Sequence, residues 1–151
     1  MFRGINVVNI DPKGRFAVPT KYRHVLMEES KGLMVMTIDT DEACLLLYPV
    51  GRWEEIEQKI QGLPSFDPAA RRIQRLLIGH ATEVEMDGQG RLLLPSLLRE
   101  HAHLDKHLIL IGQGHRFELW SQDNWDKKRD AWIDEGVMKN GLVNNLDNLS
   151  L

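Results

Sequence analysis

Short apolar runs bounded by turn residues predict β-strands in both halves of the chain. Pro19 and Pro95 each follow such a run and are suited to the first turn of a helix, so short helices are predicted over 20–28 and 96–102. In each half, the two strands on either side of a four-residue turn are expected to pair as a hairpin. The predicted strands cover residues 5–10, 15–18, 33–38, 44–48, 107–112 and 116–120.

Apolar residues at helical spacing predict three further helices. The first covers 53–60, the second covers 69–78, and the third contains Trp125 and Trp132, seven residues apart. The last dozen residues, rich in Asn and Leu, are poorly determined by the sequence. The residues expected to face inward from the first two helices are Trp53, Ile56, Ile60, Ile73, Leu76 and Leu77.

One segment of the sequence occurs twice. Residues 11–19 (DPKGRFAVP) return as 87–95 (DGQGRLLLP), and each copy is followed by an arginine, Arg23 or Arg99, four residues after its proline. This repeat indicates two copies of one supersecondary unit. Each copy spans about 50 residues, too few to bury a stable core alone, so the copies are expected to share one. The predicted organisation is a first repeat over 1–52, a helical connector over 53–78, a second repeat over 79–124, and a C-terminal helix and tail over 125–151.

Each copy contains a predicted tight turn, over 11–14 and 87–90, whose residue types favour that conformation. The aspartate can bond the following backbone, and the last glycine suits the turn's final position. Gly88, at the second position, permits a primed turn, so the two turns are expected to differ in type. The residues assigned to turn structure are Asp11, Gly14, Asp87, Gly90 and Arg91.

Composition and charge narrow the class of protein. The single cysteine, Cys44, excludes an internal disulfide framework and indicates a reduced thiol. The N-terminus lacks the apolar region of a signal peptide, and no run is long enough to span a membrane. A soluble cytoplasmic protein is therefore expected. The net charge is −3, yet residues 1–25 carry five basic residues against one acidic residue, whereas 77–101 carry two against four. This asymmetry suggests a polyanionic partner for the first copy.

The repeated motif resembles the swapped-hairpin unit of AbrB and SpoVT, bacterial regulators that bind DNA. Two such units in one short chain, with helices between and after them, resemble the MraZ family over nearly the whole sequence. The resemblance implies a mainly β protein with α-helices (α+β), in which the two copies interlock as a pseudo-twofold β-barrel of AbrB type with peripheral helices. It also implies a homo-oligomeric ring associated with the nucleoid, and no cofactor.

The resemblance further implies a sequence-specific transcriptional regulator, mostly a repressor, that binds repeated boxes upstream of its own gene in a division and cell-wall cluster. Double-stranded DNA would be its partner, read in the major groove by the first-copy hairpin. Arg15 would contact guanine, and nearby cations would hold phosphates. In the second copy Gln89 replaces the lysine, which weakens the case for a second reader. The predicted DNA-binding residues are Arg15, Lys13, Arg3, Lys21 and Arg23.

Other interpretations remain open for these residues. The aspartate and arginine of each motif can form an ion pair that only closes the turn. The basic cluster of Arg71, Arg72 and Arg75 fits a solvated helix face or a subunit contact better than DNA binding. His101 and His103 project about 200° apart on a helix and cannot share a metal there.

Two other functions compete with DNA binding. A ring-forming interaction scaffold or antitoxin-like module is the alternative function. No nucleophile–base pair, phosphate loop or metal-ligand spacing supports an enzyme or a small-molecule substrate.

Overall fold

The computed structural model describes residues 1–136, so most of the predicted C-terminal tail lies outside the described residues. Within these residues each repeat contributes four strands, with one helix between its second and third strands. The strands are β1 (Phe2–Asn9), β2 (Arg15–Ala17), β3 (Leu33–Ile38), β4 (Leu45–Pro49), β5 (Thr82–Glu85), β6 (Arg91–Leu93), β7 (His107–Gly114) and β8 (Phe117–Ser121). The helices are α1 (Thr20–Ser30), α2 (Val50–Gln61), α3 (Pro68–Ile73), α4 (Ser96–His101) and α5 (Gln122–Glu135), and a π-helical turn, Gln74–Ile78, follows α3.

The strands form a six-stranded antiparallel sheet, in the order β1-β7-β8-β4-β3-β5, and a separate two-stranded ribbon of β2 and β6. The order is symmetric about the β8–β4 pair, so each strand of one repeat has a counterpart in the other. The predicted class, mainly β with α-helices, is confirmed. The pairing leaves β1 and β5 as the two edges of the sheet.

The prediction of local hairpins at the two turns is wrong. β1 pairs with β7, with Val7 opposite Ile109, and β2 pairs with β6, with Phe16 opposite Leu92. The chain therefore turns back after β1, but β1 and β2 both pair with strands of the other repeat. This is the interlocking of the two copies that the AbrB resemblance implies. Val18 N–H donates to the Gly90 carbonyl at 2.8 Å and continues this exchange past the ribbon.

Burial explains why the strands are exchanged. Phe16 and Leu92 face each other across the ribbon and are almost completely buried, in one cluster with residues of both repeats such as Leu26, Leu98 and Phe117. A single repeat could not enclose these side chains. The expectation that the two copies share one core is therefore confirmed.

Two smaller apolar clusters lie on the other face of the sheet, one in each half. Helix α2 covers the first, which contains Val35 and Trp53. Helix α5 covers the second, where Trp125 packs on Trp120 with ring centroids 5.6 Å apart. Helical packing was predicted for Trp53 and Trp125, and the structure confirms it.

The helices differ from the prediction mainly at their ends. Pro19 and Pro95 lie one residue before α1 and α4, and α1 continues to Ser30. The helix predicted over 69–78 is α-helical only as far as Ile73. The π turn then bonds Gly79 N–H to the Gln74 carbonyl, five residues earlier, which rotates the following side chains away from α-helical register. The prediction that Ile73 faces inward is wrong, since the residue is 38% exposed.

Candidate nucleic-acid interface

The first turn is organised by the carboxylate of Asp11. Its Oδ1 accepts hydrogen bonds from the backbone N–H groups of Lys13 and Arg15, both at 2.9 Å, and its Oδ2 accepts from Arg15 Nε at 2.9 Å. Gly14 N–H closes the turn on the Asp11 carbonyl at 3.0 Å. Gly14 has φ +82°, where a side chain would be strained. The carboxylate of Asp11 therefore bonds the backbone of its own turn, and Gly14 occupies the left-handed position of that turn.

The second turn repeats the same contacts. Asp87 accepts from Gln89 N–H and Arg91 N–H at 2.9 Å and from Arg91 Nε at 2.8 Å, and Gly90 has φ +76°. Gly88 does not adopt a positive φ, so the expected difference in turn type is wrong. The reason is that the Asp carboxylate and the last glycine select the turn in both copies.

The ion pair foreseen as an alternative role for the arginines is present in both turns. The backbone N–H of Arg15 lowers the pKa of the Asp11 carboxyl, and the guanidinium lowers it further. Arg91 has the same effect on Asp87. Each arginine uses Nε for this bond, and its terminal Nη groups make no hydrogen bond with the described residues. The ion pair therefore orients the guanidinium without occupying all of its donors.

The β2–β6 ribbon brings both arginines to one surface. Arg15 lies opposite Leu93, and Ala17 lies opposite Arg91. Because strand side chains alternate, these four residues share one face of the ribbon, while the buried Phe16 and Leu92 share the other. We call the outward side, with Lys13 and Gln89 of the adjoining turns, the ribbon face. Lys13 is exposed and forms no ion pair within residues 1–136, so it is the uncompensated cation of this face.

The remaining predicted DNA-binding residues lie away from the first turn. Arg3 lies about 20 Å along β1 from Asn9, at a rise of about 3.3 Å per residue. Lys21 Nζ lies 4.9 Å from the Tyr22 ring centroid and next to Gly4 of β1. Arg23 donates from Nε to the Val18 carbonyl at 2.8 Å and packs against Gly90 of the second turn. The five predicted cations therefore do not form one patch.

Arg99 is a cation beside the first turn to which the sequence analysis assigned no function. A Cβ on Gly14 would lie 3.9 Å from Nη1 of Arg99, whose Nε donates to the Leu104 carbonyl at 3.1 Å. Arg99 is the last position of the repeated motif, so its counterpart Arg23 was the signal that could have identified it. The exchange of strands places each of these arginines at the turn of the other repeat.

One group of potential metal ligands occurs among residues 1–136. Ligand atoms of Asp39, Cys44 and Glu118 lie within 4.8 Å of one another. Glu118 accepts from Trp120 Nε1 at 2.9 Å, and Asp39 accepts from Glu42 N–H at 3.0 Å. Both carboxylates therefore already accept hydrogen bonds within the protein. Burial, with the nearby carboxylates, raises the pKa of the Cys44 thiol.

Two further observations concern the other predicted sites. His101, His103 and His107 are exposed, and His103 follows the end of α4 in a left-handed conformation, so the three do not share a helix face. Within the described residues, no helix is both long and apolar enough to cross a membrane.

Comparison with known proteins identifies the family of this repeat. The family model described as "MraZ protein, putative antitoxin-like" matches residues 1–76 and again 77–140. This chain belongs to the MraZ family. Its MraZ relatives include the Transcriptional regulator MraZ of Legionella pneumophila (strain Corby), 54% identical over 152 residues and the whole of both chains. Two further relatives carry the same name. The protein of Hydrogenovibrio crunogenus is 54% identical and covers 99% of this chain and 98% of the relative. The protein of Coxiella burnetii (strain Dugway 5J108-111) is 52% identical over the whole of both chains. MraZ membership confirms the predicted class, a transcriptional regulator rather than an enzyme.

Proposed function

We propose that this protein binds double-stranded DNA in a sequence-specific manner through the ribbon face, and thereby regulates, mostly by repression, the gene cluster that contains its own gene. The observation that carries the proposal is that one narrow two-stranded ribbon bears Arg15 on its outward side next to Lys13 of the first turn, whereas Gln89 takes the place of that lysine beside Arg91. A two-stranded β-ribbon fits the major groove of B-form DNA. The nucleoid is then the place of action.

Arg15 and Lys13 have different roles in this proposal. The bond from Arg15 Nε to Asp11 holds the guanidinium in one orientation, and its terminal groups are available for a bidentate contact to guanine. Lys13 contributes an uncompensated charge for a phosphate. We limit direct contact to these two first-copy residues. Arg3 and Lys21 lie towards the start of β1, and the guanidinium of Arg23 is bonded to the Val18 carbonyl at the second turn.

One ribbon supplies few contacts, so its affinity alone is expected to be modest. A homo-oligomeric ring would present several ribbon faces to repeated boxes, and linking them would raise the effective concentration. The family description "antitoxin-like" favours one other candidate, a ring-forming module that binds a protein partner.

The test uses a matched pair of substitutions. Arg15→Ala and Arg91→Ala each remove an ion pair of nearly the same length, 2.9 and 2.8 Å, between side chains of similar exposure. Their structural effects should therefore be alike, and a difference in DNA affinity reports contact with DNA. Fluorescence anisotropy with a duplex from upstream of the protein's own gene, against an unrelated duplex, should show Arg15→Ala weakened by about 1–3 kcal/mol, roughly 5- to 150-fold, and Arg91→Ala little changed.

The lysine of the first turn gives a second matched pair. Lys13→Gln should reduce the slope of log affinity against log salt by about 1, and Gln89→Ala, the matched change in the second turn, should leave the slope unchanged. Equal losses in both arginine variants would mean that both copies read DNA. Binding that ignores sequence, or no binding, would contradict the proposal and favour the protein-partner alternative.

A further inference from the structure

Three side chains that can bind a metal meet beside the central β4–β8 pair of the six-stranded sheet. Asp39 directly follows β3, Cys44 directly precedes β4, and Glu118 belongs to β8. Glu118 is paired with Leu46, so Cys44 lies diagonally across from it on the same face of the sheet. The Cys44 Sγ and one oxygen from each carboxylate lie within 4.8 Å of one another. A hairpin loop of the first repeat therefore meets a strand of the second.

The thiol of this group is buried without a polar partner. Cys44 is 0% exposed, and its side chain makes no hydrogen bond with any residue that the structure describes. Burial and the carboxylates of Glu118 and Asp39 raise the pKa of the thiol, because a thiolate would add a third negative charge there. A divalent cation would offset these charges and bond to all three groups at once.

Hydrogen bonds hold both carboxylates in place and use only part of their capacity. Trp120 Nε1 donates to Oε1 of Glu118 at 2.9 Å, and Glu42 N–H donates to Oδ2 of Asp39 at 3.0 Å. Carboxylates that ligate metals are typically oriented by hydrogen bonds of this kind. Oε2 of Glu118 has a loose ion pair with Arg116, 3.8 Å long, which a metal ion can replace. Asp39 is partly exposed, so the group is open to solvent on one side.

We propose that Asp39, Cys44 and Glu118 form a zinc site that ties the first repeat to the second. Thiolate and carboxylate ligands suit Zn²⁺, whereas Mg²⁺ and Ca²⁺ take oxygen ligands. Zn–S bonds of about 2.3 Å and Zn–O bonds of about 2.1 Å place tetrahedral ligand atoms roughly 3.6 Å apart, so side-chain rotation must draw the three groups together by about 1 Å. The thiol proton passes to water as the S–Zn bond forms, and a water molecule takes the fourth position.

The pseudo-twofold symmetry of the sheet does not generate a second copy of this site. Leu45 and Phe117, the first residues of β4 and β8, are equivalent, so Arg116 occupies the position of Cys44 in the other repeat. In the same way Leu46 occupies the position of Glu118. The equivalent place in the second repeat therefore has a cation instead of the thiol and an apolar side chain instead of a carboxylate. We expect one zinc ion per chain.

The test is a titration of the reduced full chain with Co²⁺ and then Zn²⁺, after a chelator has removed bound metal. Thiolate-bound Co²⁺ has a charge-transfer absorption in the near ultraviolet, and Cys44 is the single cysteine of the chain. The band should saturate at one Co²⁺ per chain, disappear when Zn²⁺ is added, and be absent from Cys44→Ala. Glu118→Gln, which retains the acceptor for Trp120 Nε1, should weaken zinc affinity at least tenfold. Glu42→Gln is the matched control and should leave it unchanged, because Glu42 lies in the same loop but pairs with Lys128 at 3.2 Å.

Two results would overturn the proposal. One is the absence of the charge-transfer band from the folded parent protein. The other is a zinc affinity that is the same in the parent, Cys44→Ala and Glu118→Gln, since exposed histidines such as His101 would then be the ligands. Circular dichroism checks that each variant is folded, and Asp39→Asn takes the place of Cys44→Ala if that variant is not. Zinc should also raise the urea midpoint of the parent more than that of Glu118→Gln, because an ion that binds only the folded protein stabilises it, and an equal rise would count against the site.

Discussion

The two turn glycines provide a matched test of how the repeats interlock. Gly14 and Gly90 both have positive φ, and the carbonyl of each accepts a 2.8 Å bond from the other repeat, from Leu94 or Val18. Their surroundings differ. A Cβ at Gly14 would meet only Leu93 and Arg99, at 3.8 and 3.9 Å. A Cβ at Gly90 would overlap the Arg23 side chain, with Cδ and Cζ at 2.6 Å and Nε closer still.

The structure sets the size of the expected difference. Either alanine substitution costs about 1–2 kcal/mol for the left-handed backbone. Gly90→Ala must also displace the middle of the Arg23 side chain, which breaks the 2.8 Å bond to the Val18 carbonyl. A hydrogen bond to a charged group contributes about 1.5–3 kcal/mol. The free energy of unfolding of Gly90→Ala should therefore fall below that of Gly14→Ala by about 1.5–3 kcal/mol.

Urea unfolding at one protein concentration measures this difference, because self-association would otherwise shift the midpoint. A difference of about 2 kcal/mol moves the midpoint by roughly 1 M. In an Arg23→Ala background the obstacle is absent, so Gly90→Ala should then cost about as much as Gly14→Ala. Equal losses of unfolding free energy in the parent background, or a larger loss for Gly14→Ala, would refute the stabilisation of the second turn by Arg23.

Two further predictions concern titratable groups. Hydrogen bonds from Arg15 and Arg91 lower the pKa values of Asp11 and Asp87 below the ordinary value of 3.8. The ionised carboxylates therefore stabilise the fold above the unfolded-state pKa. This stability is lost as the pH falls through the lower folded-state pKa. Between pH 5 and about pH 2, Asp11→Asn/Asp87→Asn should lose less stability than the parent by urea titration, and equal pH slopes would contradict this. Since burial raises the pKa of Cys44, a thiol reagent at about pH 8 should modify it only as fast as the protein unfolds, and rapid modification of the native protein would show that the thiol is accessible.

The features predicted well from the sequence are those that depend on neighbouring residues. Asp11 and Arg15 are four residues apart, and one carboxylate can reach the intervening backbone whatever the rest of the chain does. The ion pair and the turn glycines were therefore visible in the repeat. So were the inward faces of Trp53 and Ile60, which lie on a regular helix. Ile73 was misplaced because α-helical spacing does not report the π turn that follows it.

What only the tertiary structure decided is which distant segments meet. Alternation of apolar residues identifies β1 and β2 as strands, but it does not identify their partners, because a strand's hydrogen bonds are the same with any antiparallel neighbour. The choice depends on burying Phe16 against Leu92, 76 residues away, inside a core that neither repeat can close alone. That exchange places Arg23 at the second turn and Arg99 at the first, each against the glycine of the other repeat.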